Sequence, residues 1–201
     1  MIAIVDYGIG NLRSVQKALE YIGLKGIITS EKEAILNSQG IILPGVGAFP
    51  DAMDNLKTQG LDTVLRSAKE LNKPILGICL GMQLLFDVSY EIRTCEGLGF
   101  IPGKIKKLYS GVKIPHMGWN SLNLVQDNPL IKGIKEGDYM YFVHSFYAEM
   151  GFKEDLIADC SYGIQVPAIV ARGNVFGTQF HPEKSGNIGI QILKNFGELI
   201  K

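Results

Sequence analysis

Cys79 stands in a glycine-flanked pentapeptide, Gly77-Ile78-Cys79-Leu80-Gly81, and a short apolar run, Pro74-Ile75-Leu76, leads into it. A thiol needs help to act as a nucleophile at neutral pH. This setting offers some: an apolar strand, a tight turn, then Met82-Gln83-Leu84-Leu85-Phe86, which reads as a helix start. The glycines admit close backbone approach and strained dihedrals at the turn. A helix beginning there would aim its free N–H groups at the sulfur and at any oxyanion formed beside it. The same pentapeptide also suits a buried cysteine on a core strand, and by itself it leaves both readings open.

A nucleophilic thiol needs a base, and the chain has three histidines. His116 lies in Pro115-His116-Met117-Gly118-Trp119-Asn120, a turn-like segment with no carboxylate close in sequence. His144 ends the apolar strand Tyr141-Phe142-Val143-His144 and reads as a hydrogen-bonded structural residue. His181 closes a strand over 175–180 and is followed by Pro182 and Glu183. Proline holds the residue before it extended. Side chains two apart in extended chain project to one side, so His181 and Glu183 can meet. A carboxylate on one ring nitrogen fixes the tautomer and turns the other nitrogen toward a nucleophile. A surface turn with a solvated Glu183 is the plainer alternative. Joined to the elbow a hundred residues earlier, a Cys79–His181–Glu183 triad is the stronger reading.

Gly45-Val46-Gly47 ends the apolar run Ile41-Ile42-Leu43. In a doubly wound sheet that turn falls at the carboxyl edge, where ligands bind. Its backbone N–H groups could form half of an oxyanion hole, with the N–H of Leu80 as the other half; an ordinary glycine turn is the alternative. Neither Gly8-Ile9-Gly10 nor Gly45-Val46-Gly47 completes a dinucleotide fingerprint, since Arg13 and Pro50 stand where the third glycine belongs. No Gly-Lys-Ser/Thr triplet exists, which excludes a P-loop. No His/Cys/Asp cluster has ligand spacing, so neither a metal nor a cofactor is expected.

The elements that must hold these groups alternate along the first half. Ile2-Ala3-Ile4-Val5 reads as a strand, and Leu12, Val15, Leu19 and Ile22 repeat at helical spacing. Strands at 41–43 and 75–78 flank a mostly helical stretch over 51–71. Continuous apolar strands between helices predict an α/β fold, a mostly parallel central sheet with helices on both faces. From 101 to about 178 the strands look shorter and more alternating, with turns at Tyr109-Ser110-Gly111, Asp127-Asn128-Pro129 and Arg172-Gly173-Asn174. These predict antiparallel hairpins that extend or flank the sheet. A last helix over 187–200 carries Ile188, Ile192, Phe196 and Leu199 on one face. No repeat, linker or low-complexity stretch interrupts the chain, so residues 1–201 are expected to form a single domain.

Composition narrows the setting. The chain has 201 residues, 46% of them hydrophobic, and its 20 basic and 20 acidic residues cancel. A balanced charge argues against a nucleic-acid or anionic-membrane partner. Three widely spaced cysteines, Cys79, Cys95 and Cys160, suggest neither a disulfide framework nor a zinc knuckle. The N-terminus lacks the basic region and longer apolar core of a signal peptide, and no apolar run reaches a membrane span. A cytoplasmic protein is expected.

Gly77-Ile78-Cys79-Leu80-Gly81-Met82-Gln83 with Phe180-His181-Pro182-Glu183 closely resembles the class I, triad-type glutamine amidotransferases. Three further motifs are similar to the family of glutaminase subunits of imidazole glycerol-phosphate synthase: Asp6-Tyr7-Gly8-Ile9-Gly10-Asn11, Pro44-Gly45-Val46-Gly47-Ala48-Phe49 and Pro115-His116-Met117-Gly118-Trp119-Asn120. Tyr141-Phe142-Val143-His144-Ser145 and His181-Pro182-Glu183-Lys184-Ser185 add to it, and the likeness runs from end to end.

The resemblance implies a flavodoxin-like fold and a glutaminase in which Cys79 attacks the side-chain amide of glutamine. His181 would move the protons and Glu183 would orient it. It further implies an oxyanion hole from Leu80 and Val46, formed once the Gly45–Val46 peptide turns toward the site, and glutamine held by Gln83 and the backbone around Gly47, Ser145 and Phe146. The implied partner is a (β/α)8-barrel cyclase subunit that receives the ammonia through its interior. It would form a heterodimer with this chain, with Asn11, Trp119, Tyr141 and Lys184 at family positions on the interface. A core tryptophan is the alternative for Trp119, and a solvated charge for Lys184. Glutaminase subunits of anthranilate or pyridoxal-phosphate synthase type, and a non-catalytic regulatory subunit on the same fold, are the rival readings.

Overall fold

The computed structural model describes residues 1–108 and 111–200. In the first half, strands and helices alternate: β1 (Ile2–Val5), α1 (Leu12–Tyr21), β2 (Gly26–Thr29), α2 (Lys32–Asn37), β3 (Gly40–Gly45), α3 (Phe49–Thr58), α4 (Leu61–Glu70), β4 (Ile75–Cys79) and the single turn α5 (Leu80–Gln83). The second half is mostly strand: β5 (Val88–Ser89), β6 (Cys95–Glu96), β7 (Gly103–Lys107), β8 (His116–Ser121), β9 (Asn123–Leu124), β10 (Tyr139–His144), β11 (Phe146–Met150), β12 (Leu156–Ser161), β13 (Gln165–Arg172) and β14 (Val175–Thr178). Helix α6 (Gly186–Leu199) closes the chain.

The main sheet has eight strands in the order β2-β1-β3-β4-β14-β13-β12-β9. From β2 to β14 every pairing is parallel; β13, β12 and β9 then extend it antiparallel. The hairpin β10-β8 and the four-stranded sheet β11-β7-β5-β6 flank it. Both expected roles for the antiparallel strands, extending and flanking, are therefore filled.

Alternation along the buried strands divides the core in two. Ile2, Ile4, Ile42, Leu76 and Ile78 pack with Val15 and Leu19 of α1 and with Ile192 and Phe196 of α6. Their neighbours Ala3, Val5, Ile41, Leu43 and Ile75 pack on the other face with Ile35 of α2, Met53 and Leu56 of α3 and Leu65 of α4. A period of two on strands covered by helices on both faces leaves no polar side. Each fully buried Ile, Leu or Phe contributes roughly 1.5–3 kcal/mol.

Three local expectations change. The helical stretch over 51–71 is two helices, parted at Gly60, whose φ of +66° suits glycine. Strand β2 and helix α2 carry no strong periodic signal, and the sequence did not mark them. His116 and Trp119 lie in strand β8 rather than in a turn, paired antiparallel with β10. The turn expected at Tyr109-Ser110-Gly111 lies, at Tyr109 and Ser110, outside the described residues. No helix among the described residues is long and apolar enough to cross a membrane.

Candidate active site

Strand β4 runs between β3 and β14 and ends on Cys79, whose φ of 55° and ψ of −111° lie outside the regions that L-residues favour. The strain falls on the cysteine itself, at a typical cost of about 1–3 kcal/mol that the surrounding packing must offset. The flanking glycines serve close approach instead. A Cβ on Gly77 would lie 2.6 Å from the carbonyl oxygen of Gly81, and one on Gly81 would overlap the carbonyl oxygen of Leu43. Strand, turn and helix start are thus packed backbone against backbone. The helix that follows is one turn of four residues, shorter than the expected run through Phe86, so a long helix dipole does not act on the sulfur. Cys79 is 6% exposed, with Sγ 3.8 Å from the carbonyl oxygen of Val143 and 3.9 Å from Nε2 of Gln179.

His181 is 2% exposed, and its Nδ1 lies 2.8 Å from Oε1 of Glu183. The expected extended conformation holds for His181, at φ −98° and ψ 99°. Glu183 instead sits in a 3-10 turn, Pro182–Lys184, which folds its carboxylate back onto the ring. The segment is clasped to β10: the N–H of His181 donates to Tyr141 O at 3.0 Å, and Ser185 Oγ donates to His181 O while accepting from the N–H of Tyr141. The remaining polar atoms of the pair, His181 Nε2 and Glu183 Oε2, are buried without a hydrogen-bond partner. Burial works against an imidazolium here, but the adjoining Cys79 sulfur and the Glu183 carboxylate outweigh it and push His181 up to about 9.

Cys79 and His181 line one cavity of about 360 Å³. Val46, Gly47, Leu80, Gln83, Ser145 and Phe146, all singled out from the sequence, line it too. Gly45 is the register partner of Cys79 across β3 and β4, so the glycine turn and the elbow leave the sheet side by side. Tyr7 supports that edge by donating from its hydroxyl to Pro44 O at 2.7 Å; burial, with the nearby Cys79, drives its hydroxyl well above the ordinary tyrosine range.

Three polar residues at the site escaped the sequence reading, among them His144, read as structural, which lines the cavity. Glu91 joins the cavity wall, its Oε2 accepting the N–H of Phe49 at 2.8 Å. Burial raises its carboxyl, with the Phe49 bond opposing and Asp51 adding. Gln179 is fully buried and accepts from Gln83 Nε2 at 3.0 Å, while the same Gln83 amide reaches Phe146 O at 2.9 Å. Its place two residues before His181, within the strand expected over 175–180 although β14 ends at Thr178, was the one available signal; Glu91, on a loop, offered none. Cys95 and Cys160 are buried thiols pushed up by desolvation, Cys160 to about 12, far from what a nucleophile needs. Among the described residues no His/Cys/Asp/Glu group could hold a metal.

Of the four residues assigned to an interface, two are in direct contact. Trp119 and Tyr141 are register partners on β8 and β10, ring centroids 6.1 Å apart in edge contact. Trp119 is 56% exposed, which overturns the core alternative. The turn bearing the exposed Lys184 packs against β10 and against helix α1, whose N-cap is Asn11.

The sequence signature described as glutamine amidotransferase class-I matches residues 3–199, and this chain belongs to that family. The fold agrees: a solved structure titled "Crystal structure of glutamine amidotransferase" superimposes with a TM-score of 0.79 at 19% identity, covering 100% of this chain and 99% of its own. PurLQS from Thermotoga maritima gives 0.76 at 23% identity, covering 100% and 98%. Within the class the branch is that of imidazole glycerol phosphate synthase subunit HisH. The HisH of Bacillus cereus strain G9842 is 56% identical, with 100% of this chain and 96% of the relative covered. That of Caldanaerobacter subterraneus subsp. tengcongensis is 54% identical, covering 100% and 99%. The anthranilate- and pyridoxal-phosphate-type readings and the non-catalytic one are not favoured by these relatives.

Proposed function

We propose that this chain is the glutaminase subunit of an imidazole glycerol phosphate synthase, working in the cytoplasm as a heterodimer with a (β/α)8-barrel cyclase. One observation carries the chemistry: a strained cysteine and a carboxylate-bound, buried histidine open onto the same amino-acid-sized cavity. His181, beside the sulfur, takes the thiol proton as the reaction begins. The sulfur attacks the side-chain amide carbon of glutamine, and the C–N bond breaks as His181 gives its proton to the departing ammonia. The γ-glutamyl thioester that remains is hydrolysed by water, whose proton His181 takes, releasing glutamate and restoring the thiol pair. Glu183 holds the ring throughout. The oxyanion of each tetrahedral intermediate is met by the N–H groups of Leu80 and Val46, the latter after the Gly45–Val46 peptide turns inward. Gln83, Gly47, Ser145 and Phe146 hold the substrate, and the Glu91 carboxylate suits its ammonium end.

The ammonia passes into the barrel cyclase, which uses it to form imidazole glycerol phosphate and an aminoimidazole carboxamide ribotide. Asn11, Trp119, Tyr141 and Lys184 face that partner. Ammonia release from glutamine should rise sharply when the barrel cyclase and its phosphoribulosyl nucleotide are added. A rate indifferent to both would remove the partner from this reading.

A further inference from the structure

Of two histidines that the triad chemistry does not use, His144 lines the glutamine cavity and His116 stands behind it. His116 and His144 are register partners on β8 and β10, 3% and 6% exposed, with Nδ1 of His116 2.9 Å from Nε2 of His144. The proton positions follow from the partners. Nδ1 of His144 lies 2.8 Å from the carbonyl oxygen of Phe146, which can only accept, so that nitrogen carries the proton. Nε2 of His144 is then the acceptor, and Nδ1 of His116 donates to it. Nε2 of His116, left as an acceptor, faces the Nδ2 amide of Asn120 at 3.3 Å. Donation therefore runs one way, from Asn120 to His116 to His144 to Phe146. Burial drives both rings down, His116 to about 4 and His144 to about 3, so both are neutral near pH 7. A second proton on either ring would set two donors face to face.

The line is rigid and ends at the substrate cavity. The His116 ring is stacked between Phe142, at 4.8 Å, and Tyr162, at 3.9 Å. The Phe146 oxygen at its far end also accepts from Gln83, whose amide reaches on to Gln179. The near end, Asn120, follows Trp119 on β8 and also donates to Ser161 O.

We propose that His116 and His144 are positioning residues for glutamine: their one-way hydrogen bonds hold the Phe146 carbonyl, and through it the Gln83 amide, in the binding geometry. They tie that geometry to the strand that carries Trp119. The proposal rests on the glutaminase reading above.

Two substitutions separate this role from plain packing, each made in the full chain paired with the barrel cyclase. His116→Phe keeps an aromatic ring between Phe142 and Tyr162 but removes the donor, leaving Nε2 of His144 buried and unpaired. His116→Asn keeps a donor near the former Nδ1 position. The glutamine KM should rise about tenfold in the Phe variant while kcat changes by less than about threefold, and the Asn variant should recover most of the loss. Alkylation of Cys79 by iodoacetamide, which needs no Phe146 carbonyl, should stay within about twofold. In the native protein, ring 15N shifts should show both imidazoles as neutral Nδ1–H tautomers from about pH 5 to about pH 8, a readout that stands even if a variant does not fold. An Nε2–H tautomer or a charged ring in that range, an unmoved KM in His116→Phe, or an Asn variant as impaired as the Phe variant would overturn the proposal. A native complex that releases no ammonia from glutamine would overturn the glutaminase reading and this one together.

Discussion

Gly45 and Cys79 are register partners at the carboxyl ends of two adjacent parallel strands. A Cβ on Gly45 would lie 2.6 Å from the Tyr7 hydroxyl and 2.9 Å from the Gly81 nitrogen. The turn proposed to complete the oxyanion hole is therefore packed against the backbone of the elbow with no room for a methyl group. Gly45→Ala must push the two strand ends apart or jam the Gly45–Val46 peptide. Glutamine-dependent kcat should fall by about 10²-fold or more, with the chain still folded by circular dichroism. Retained kcat would show that this turn takes no part in the chemistry.

The buried histidines give stability two pH limbs of opposite sign. His181 has its folded value raised from 6.5 to about 9, so its contribution is complete below 6.5 and is lost as pH rises through 9. His116 and His144 are depressed to about 4 and about 3, so over the range below 6.5 the unfolded chain binds protons that the folded one does not. That contribution is present above 6.5 and is lost as pH falls through about 4 for His116 and about 3 for His144. Urea midpoints of the isolated chain should decline on both sides of a near-neutral maximum. Glu183→Gln should flatten the alkaline limb alone, because it removes a carboxylate that favours the His181 charge. An alkaline limb unchanged in that variant would mean that the Glu183 contact does not set the charge of His181.

Cys79→Ala tests the division of labour between the two subunits. In the function proposed above, the barrel partner's own chemistry needs ammonia, not the thiol. Synthesis from glutamine should vanish while synthesis from added ammonium salt stays close to native. Equal loss of both activities would mean that the elbow supports the partner's active site as well as its own.

Much of this was legible because the chemistry lies at breaks in strong patterns. Buried strands at 2–5, 41–43 and 75–78 stand out by their unbroken apolar runs, and the turns that end them carry Gly45, Cys79 and their neighbours. Pairing of His181 with Glu183 was foreseen, but its cause differs: a 3-10 turn brings the carboxylate back, which extended-chain alternation does not describe. The His116–His144 contact depends on the register between two strands and joins residues 28 apart in the chain, and a single sequence carries no sign of it. Glu91 was equally hidden, since only the fold brings its loop over the start of α3. Gly60 was visible within 51–71 as a helix breaker, yet the apolar spacing on either side masked the break.

Trp119 is exposed, in edge contact with Tyr141, on a strand whose neighbour is clasped to the Pro182–Lys184 turn through Ser185 and His181. A large aromatic ring left in solvent contributes little to folding, whereas the same ring seated in a partner's pocket is a typical anchor. Trp119→Ala should therefore leave the urea midpoint of the isolated chain nearly unchanged. It should weaken association with the barrel cyclase by about 2 kcal/mol or more, roughly a 30-fold rise in Kd measured by calorimetric titration. Because the strand that carries it also carries His116, part of the loss should appear as a higher glutamine KM within the complex at saturating partner. An unchanged Kd with a lowered midpoint would recast Trp119 as a prop for Tyr141 and move the partner-facing surface elsewhere.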